Sequence, residues 1–241
     1  MRHLTGHYRA AAVAAEQAGT FHEQVANQRG QANSLDILAR VRYATGDYPA
    51  AATAAERAHT LHQRIGKRHG QAYALHVLAL VHHATGDYPA AANCAERARR
   101  LFKSIAARHG EASAVQVLGV VHHACANYPA AASALDQALC LFREVGDPDG
   151  EAETLNHIGQ LHLDSASPAT AHQQFTSALN IARRIGTPIH EARALEGIGT
   201  CLLHQGVHIE GRQHLRDALA IYRRKRSLRA ARVETLLVTG T

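Results

Sequence analysis

Tryptophan is absent from this chain of 241 residues, phenylalanine occurs four times and methionine once. A core built from interlocked aromatic rings is therefore excluded, and the abundance of alanine favours helices that approach one another closely. No run of about 18 apolar residues is present, so no membrane-spanning helix is expected. The apolar part of "MRHLTGHYRAAAVAAEQ" is too short for the core of a secretion signal. These absences predict a cytoplasmic protein. Cysteine is sparse: Cys94, Cys125, Cys140 and Cys201 form no C-x-x-C pair and fall within helical patterns. They read as buried free thiols of a reducing compartment. Three lysines stand against twenty-three arginines, a bias that suggests a GC-rich bacterial source.

Catalytic signatures are missing as well. Neither His22-Glu23 nor His190-Glu191 continues as H-E-x-x-H, and there is no phosphate-binding G-x-x-x-x-G-K-[ST]. "HLDS" at 162–165 holds His, Asp and Ser, but neighbouring residues of one helix point in different directions and cannot form a triad. The expectation is a protein that is not an enzyme and carries no cofactor.

What the chain does have is a phrase that returns. "TGDYPAAA" stands at 45–52 and again at 85–92, and "YPAAA" follows at 128–132. Residues 46–85 match residues 86–125 at 24 of 40 positions without a gap. A period of this size signals a solenoid of stacked hairpins. Within each unit one helical pattern runs as in "HGQAYALHVLALVHHA" (69–84). Gly86 ends it, Asp87 caps the next helix, and Pro89 sits in that helix's first turn, where a missing N–H costs nothing. The second helix, about 87–105, turns Ala91, Ala95 and Ala98 inward.

Leu155, Ile158, Gly159, His162, Ala171, Phe175 and Ala178 have the spacing of large, large, small and aromatic on one helix, then small, large, small on the next. Equivalent sets start at Leu35, Leu75, Val115 and Leu195. This pattern resembles the tetratricopeptide repeat family, in a long form whose period is forty rather than the usual ~34. The aromatic slot holds His, Arg or Leu here. The resemblance implies an all-α, TPR-like α-solenoid of antiparallel helix hairpins with a right-handed superhelix. It implies one array over 1–241: a half repeat 1–27, full repeats 28–66, 67–106, 107–146, 147–186 and 187–226, and a terminal half repeat 227–241. Related arrays belong to bacterial regulators and STAND-type signalling proteins.

In such an array the first helices line a concave groove. The groove positions are Asn33, Asp36, Arg40 and Tyr43; then Tyr73, His76, Leu80 and His83; then Ser113, Gln116, Val120 and His123. They continue with Glu153, Asn156, Gln160 and Leu163, and with Arg193, Glu196, Thr200 and Leu203. They differ from row to row, as a recognition surface would, and they are read as exposed. By resemblance, Asn156 is placed to bond a bound peptide's backbone. The expected function is a protein- or peptide-binding scaffold or regulatory sensor. The rival is a small-molecule or metal sensor using the histidines of the groove, above all His83 and His123, although two imidazoles alone do not make a zinc site.

Net charge by forty-residue unit is +2 for 1–45, 46–85 and 86–125, −6 for 126–165, +1 for 166–205 and +5 for 206–241. The basic run "YRRKRSLRAAR" (222–232) comes without a helix-turn-helix or an aromatic platform, which argues against nucleic acid. Helix 6–25 is expected to leave Ala11, Ala15 and Ala18 unmatched, and the last segment to expose Val233, Leu236 and Leu237. That predicts self-association through an end or a longer natural protein.

Overall fold

The computed structural model describes residues 2–239, with side chains from residue 8 to residue 238. Among the described residues there are twelve α-helices and no strand. They form two compact units, Met1–Cys125 and Ala126–Thr241. The first holds α1 (Arg2–Gln24), α2 (Gln28–Thr45), α3 (Tyr48–Arg64), α4 (Arg68–Thr85), α5 (Tyr88–Ser104) and α6 (Arg108–Ala124). The second holds α7 (Tyr128–Val145), α8 (Pro148–Asp164), α9 (Pro168–Ile185), α10 (Pro188–His204), α11 (His208–Lys225) and α12 (Arg229–Thr239). No described helix is long and apolar enough to cross a membrane.

The recurring phrase is the elbow of a helix hairpin. Gly46 and Gly86 follow α2 and α4 with φ of 81° and 82°, in the left-handed region where a side chain is disfavoured. The elbows after α6 and α8 take the same conformation at Ala126 and Ala166, with φ of 56° and 57°. Asp47, Asp87 and Asn127 then accept a hydrogen bond from the N–H of Ala50, Ala90 and Ala130, each with Pro in the opening turn.

Hairpin packing rests on small side chains. Ala51, Ala55 and Ala58 on α3, and Ala91, Ala95 and Ala98 on α5, are fully buried. In the second unit Gly199 of α10 and Gly211 of α11 lie backbone against backbone, so a Cβ at Gly199 would sit 2.8 Å from the Gly211 carbonyl oxygen. Successive hairpins are joined by a ring-into-glycine contact. His22, His62, Phe102 and Phe142 stand against Gly30, Gly70, Gly110 and Gly150, and a methyl group at any of those glycines would fall inside the ring.

Three expectations are corrected here. Among the cysteines, Cys201 is buried, Cys94 is partly buried, and Cys125 and Cys140 are exposed. Cys125 follows α6 at its elbow, and Cys140 lies between buried Leu139 and Leu141 on the opposite face of α7. Val233 is fully buried, and Leu236 and Leu237 pack against the second unit's core, because α12 lies on α11. At the other end Ala15 is buried against α2, with Ala11 and Ala18 partly buried.

Candidate functional site

In the first unit α2, α4 and α6 are successive neighbours. Along α2, the carbonyl oxygen of the Asn33 side chain accepts from Lys67 Nζ at 2.9 Å. Asp36 accepts from Nε2 of His62, a fully buried residue of α3, at 2.8 Å. Burial raises the Asp36 carboxyl above its ordinary value, and the imidazole opposes that shift. The Arg40 guanidinium lies 5.9 Å from the centre of the Tyr73 ring on α4, a cation–π distance. Burial pushes the Tyr73 hydroxyl up.

Farther along the face the groups turn inward. His76 has a buried Nδ1 without a partner among the described residues, and burial lowers its imidazole to about 4, so it is neutral at pH 7. The rings of Tyr43 and His83 each lie 5.9 Å, tilted, from the tyrosine that opens the next helix, Tyr48 and Tyr88. Burial lowers His83 too. Gln116 is buried at 8% exposure, and His123 is partly buried. The described residues bring no three His, Cys, Asp or Glu side chains together as metal ligands.

In the second unit α8 and α10 lie side by side, and side chains of α12 reach the same face. The Asn156 side-chain amide donates to the backbone carbonyl of His190 at 3.2 Å, while its own oxygen is buried and unpaired. Arg193 Nη1 is 3.5 Å from Glu153, and Arg193 Nε is buried and unpaired. Glu196, 5% exposed, accepts from the Tyr222 hydroxyl at 2.8 Å and from Arg229 at 3.3 Å. Arg232 completes the cluster 3.3 Å from its other oxygen. Burial and the Glu196 carboxylate both push the Tyr222 hydroxyl upward. Gln160 is committed to Asp164 at 2.8 Å, and Thr200 to the Glu196 carbonyl at 2.9 Å.

One row of the expected groove is therefore not freely exposed. Gln116, Asn156 and Glu196 are buried, and the Asp36 side chain is 18% exposed. The row falls where the first helix turns toward the ring-bearing second helix or the next hairpin, and Asp36, Asn156 and Glu196 find partners there in His62, the His190 carbonyl and Tyr222. Sequence reading missed Tyr222, Arg229 and Arg232, although Tyr222 to Glu196 and His62 to Asp36 share a separation of 26 residues. Arg223 of the basic run is paired with Glu234 at 2.8 Å.

Sequence reading also missed a cleft of about 310 Å³ among α1, α2 and α3. It opens beside Gly19, at the position that carries His59, Arg99, Leu139, Leu179 and Leu219 in the later copies.

A family model described as tetratricopeptide repeat matches residues 30–104 and 111–184. The chain belongs to the tetratricopeptide repeat family. No curated protein matches its sequence. Among solved structures it resembles BtubC from P. vanneervenii, with a TM-score of 0.74, 16% identity, and 91% of this chain covering 92% of that one. The Rap conjugation gene regulator of plasmid pLS20, solved in complex with the Phr* peptide, gives 0.76 at 14% identity, over 87% of this chain and 58% of that one. A STAND protein with a tetratricopeptide repeat sensor from Pyrococcus horikoshii gives 0.72 at 14%, over 96% of this chain and 37% of that one. At these identities the likeness is one of fold, a TPR-like α-solenoid. The chain spans little more than half of the Rap regulator and about a third of the STAND protein.

Proposed function

We propose that this protein is a binding scaffold without catalytic activity, which takes up extended protein segments or peptides on the faces made by the first helices of the hairpins within each unit. One observation carries the reading. On that face each unit holds buried polar atoms with no partner among the described residues: Asp36 Oδ1 and His76 Nδ1 in the first, Asn156 Oδ1 and Arg193 Nε in the second. Such atoms are costly to leave unpaired, and a peptide backbone with alternating N–H and C=O groups supplies partners of both kinds. The fold likeness to a Rap regulator bound to a peptide favours the same reading. A regulatory sensor role follows if the bound segment is a signal rather than a constitutive partner.

The groove residues proposed to carry affinity are Tyr73, Asn156 and Arg193, with Asn33, Arg40, Tyr43, His83, His123, Glu153, Gln160 and Thr200 around them. A displayed library of random extended peptides, selected on the whole chain, tests the proposal. Selected peptides should lose about tenfold or more in affinity on Tyr73→Ala and Arg193→Gln. They should be indifferent to Arg184→Ala, an exposed position on α9. Arg99 is a poorer control, since both its Nε and an Nη hold Glu96 at 2.8 Å. Peptides that ignore both groove changes and depend on Arg184 would overturn the reading.

A further inference from the structure

The cleft beside Gly19 lies in the first unit, lined by α1, α2 and α3. None of the groove positions Asn33, Asp36, Arg40 and Tyr43 lines it, so it is a different site from the first-helix face. At about 310 Å³ it reaches the ~300 Å³ at which pockets for small molecules begin.

It is open for want of one side chain. At the position of Gly19, later copies close the seam between a second helix and the next hairpin themselves. His59 Nδ1 donates to the Gln71 carbonyl oxygen of α4 at 3.2 Å. Leu139, Leu179 and Leu219 are buried in the core of the second unit. Gly19 has nothing to offer, although a Cβ there would meet Ser34 Cβ at an ordinary 3.6 Å. The missing volume is that of a side chain, and the later copies show that leucine suits the position.

The lining says what else an occupant must carry. Leu35, Leu38 and Ala54 are buried and give the cleft an apolar floor. Glu16 is already paired with Arg42 at 3.2 Å. Glu23 on α1 and Arg57 on α3 also line the cleft, both exposed, and neither has an ion pair among the described residues. An acid at position 23 is peculiar to this copy, since its equivalents are Gln63, Lys103, Arg143, Arg183 and Arg223. One unspent acid and one unspent base above an apolar floor match a molecule with an ammonium, a carboxylate and an aliphatic body.

We infer that this cleft binds a free α-amino acid with an aliphatic side chain of about leucine size. Its ammonium faces Glu23, and its carboxylate takes charge-assisted hydrogen bonds from Arg57. Its side chain covers Leu35, Leu38 and Ala54, as a leucine of the chain itself does in the later copies.

Isothermal titration calorimetry on the full chain tests this with four probes. L-leucine carries all three features, N-acetyl-L-leucine lacks the ammonium, L-leucinamide lacks the carboxylate, and glycine lacks the side chain. Saturable binding of one L-leucine per chain is expected, with each of the other three about tenfold weaker or more. Glu23→Gln and Arg57→Gln should each weaken L-leucine about tenfold. Gly19→Leu installs the side chain that later copies have, so it should abolish binding while the melting temperature holds or rises. That pairing of readouts separates a plugged site from a lost fold. Absence of L-leucine binding, or binding unchanged in Gly19→Leu, would overturn the site. So would indifference to both charge variants. N-acetyl-L-leucine or L-leucinamide binding as tightly as L-leucine would also overturn it, in favour of a peptide's chain end.

Discussion

The Tyr222 hydroxyl donates to Glu196 across 2.8 Å, and the pair repeats, twenty-six residues apart, the 2.8 Å bond from His62 to Asp36. In both hairpins a ring late on the second helix reaches back to the first helix of its own hairpin. Where the ring carries a polar hydrogen, the facing position is an acid. The copies at 76, 116 and 156 carry His, Gln and Asn. Part of the variety along this row therefore answers to packing inside the hairpin.

The ring position is coupled forward as well. Positions 22, 62, 102 and 142 carry a ring and positions 30, 70, 110 and 150 the glycine it covers. At 182 the ring is replaced by a fully buried Ala, and at 190 the glycine is replaced by His. We predict that Phe102→Ala costs about 3–5 kcal/mol and Gly110→Ala about 1–3 kcal/mol in urea unfolding. The double exchange Phe102→Ala with Gly110→His copies the 182/190 arrangement and should recover a large part of the Phe102→Ala loss. A double variant as unstable as the two single losses combined would refute the exchange of ring and glycine.

The hairpins, elbows and small crossing positions were legible in the sequence because each recurs at a fixed offset. Gly86, Asp87, Pro89 and Ala91 announce the corner that Gly46, Asp47, Pro49 and Ala51 also make, and Asn127, Pro129 and Ala131 keep most of it. The burial of Asn156 and Glu196 was not legible, since an Asn or Glu at a groove offset looks exposed until its partner is known. For Asn156 that partner is a carbonyl 34 residues on, and for Glu196 it includes Arg229, 33 residues on. The fate of Cys140 escaped for a related reason: membership of a helix says nothing about its face until buried Leu139 and Leu141 fix the rotation.

His76 makes stability depend on pH. Burial lowers its imidazole from 6.5 to about 4, so between those values the unfolded chain takes up a proton that the folded chain refuses. Its contribution is complete above pH 6.5 and is lost as pH falls toward 4. After discounting for partial exposure, the loss should be roughly 2 kcal/mol. His76→Gln should remove that part of the slope. If wild type and variant lose stability in parallel between pH 7 and pH 4.5, His76 is not the group responsible.

Thiol reactivity should separate the cysteines. Cys125 and Cys140 are exposed, whereas burial pushes the Cys201 thiol up to about 11. A disulfide reagent at pH 8 should label Cys125 and Cys140 fast, Cys94 more slowly, and Cys201 only after denaturation. Mass spectrometry of partly labelled protein reads the order directly. Early labelling of Cys201 would mean that the α10 core opens far more readily than its packing implies.

Glu196 anchors the last helix, and its loss should be felt in two places. Arg229 and Arg232 have side chains 42% and 58% exposed, so without the carboxylate they can turn to water at little cost. Tyr222 is fully buried, and its hydroxyl would lose its acceptor. An unpaired buried hydroxyl costs about 1–3 kcal/mol, and most of the loss in Glu196→Leu should come from it. Adding Tyr222→Phe should therefore recover stability in that background, though Tyr222→Phe alone costs about 1 kcal/mol. Because both arginines of α12 let go, amide exchange in Arg229–Thr239 should quicken about tenfold in Glu196→Leu, while α8 and α9 keep their protection. Unchanged exchange in α12 would show that burial of Val233 alone holds the helix down.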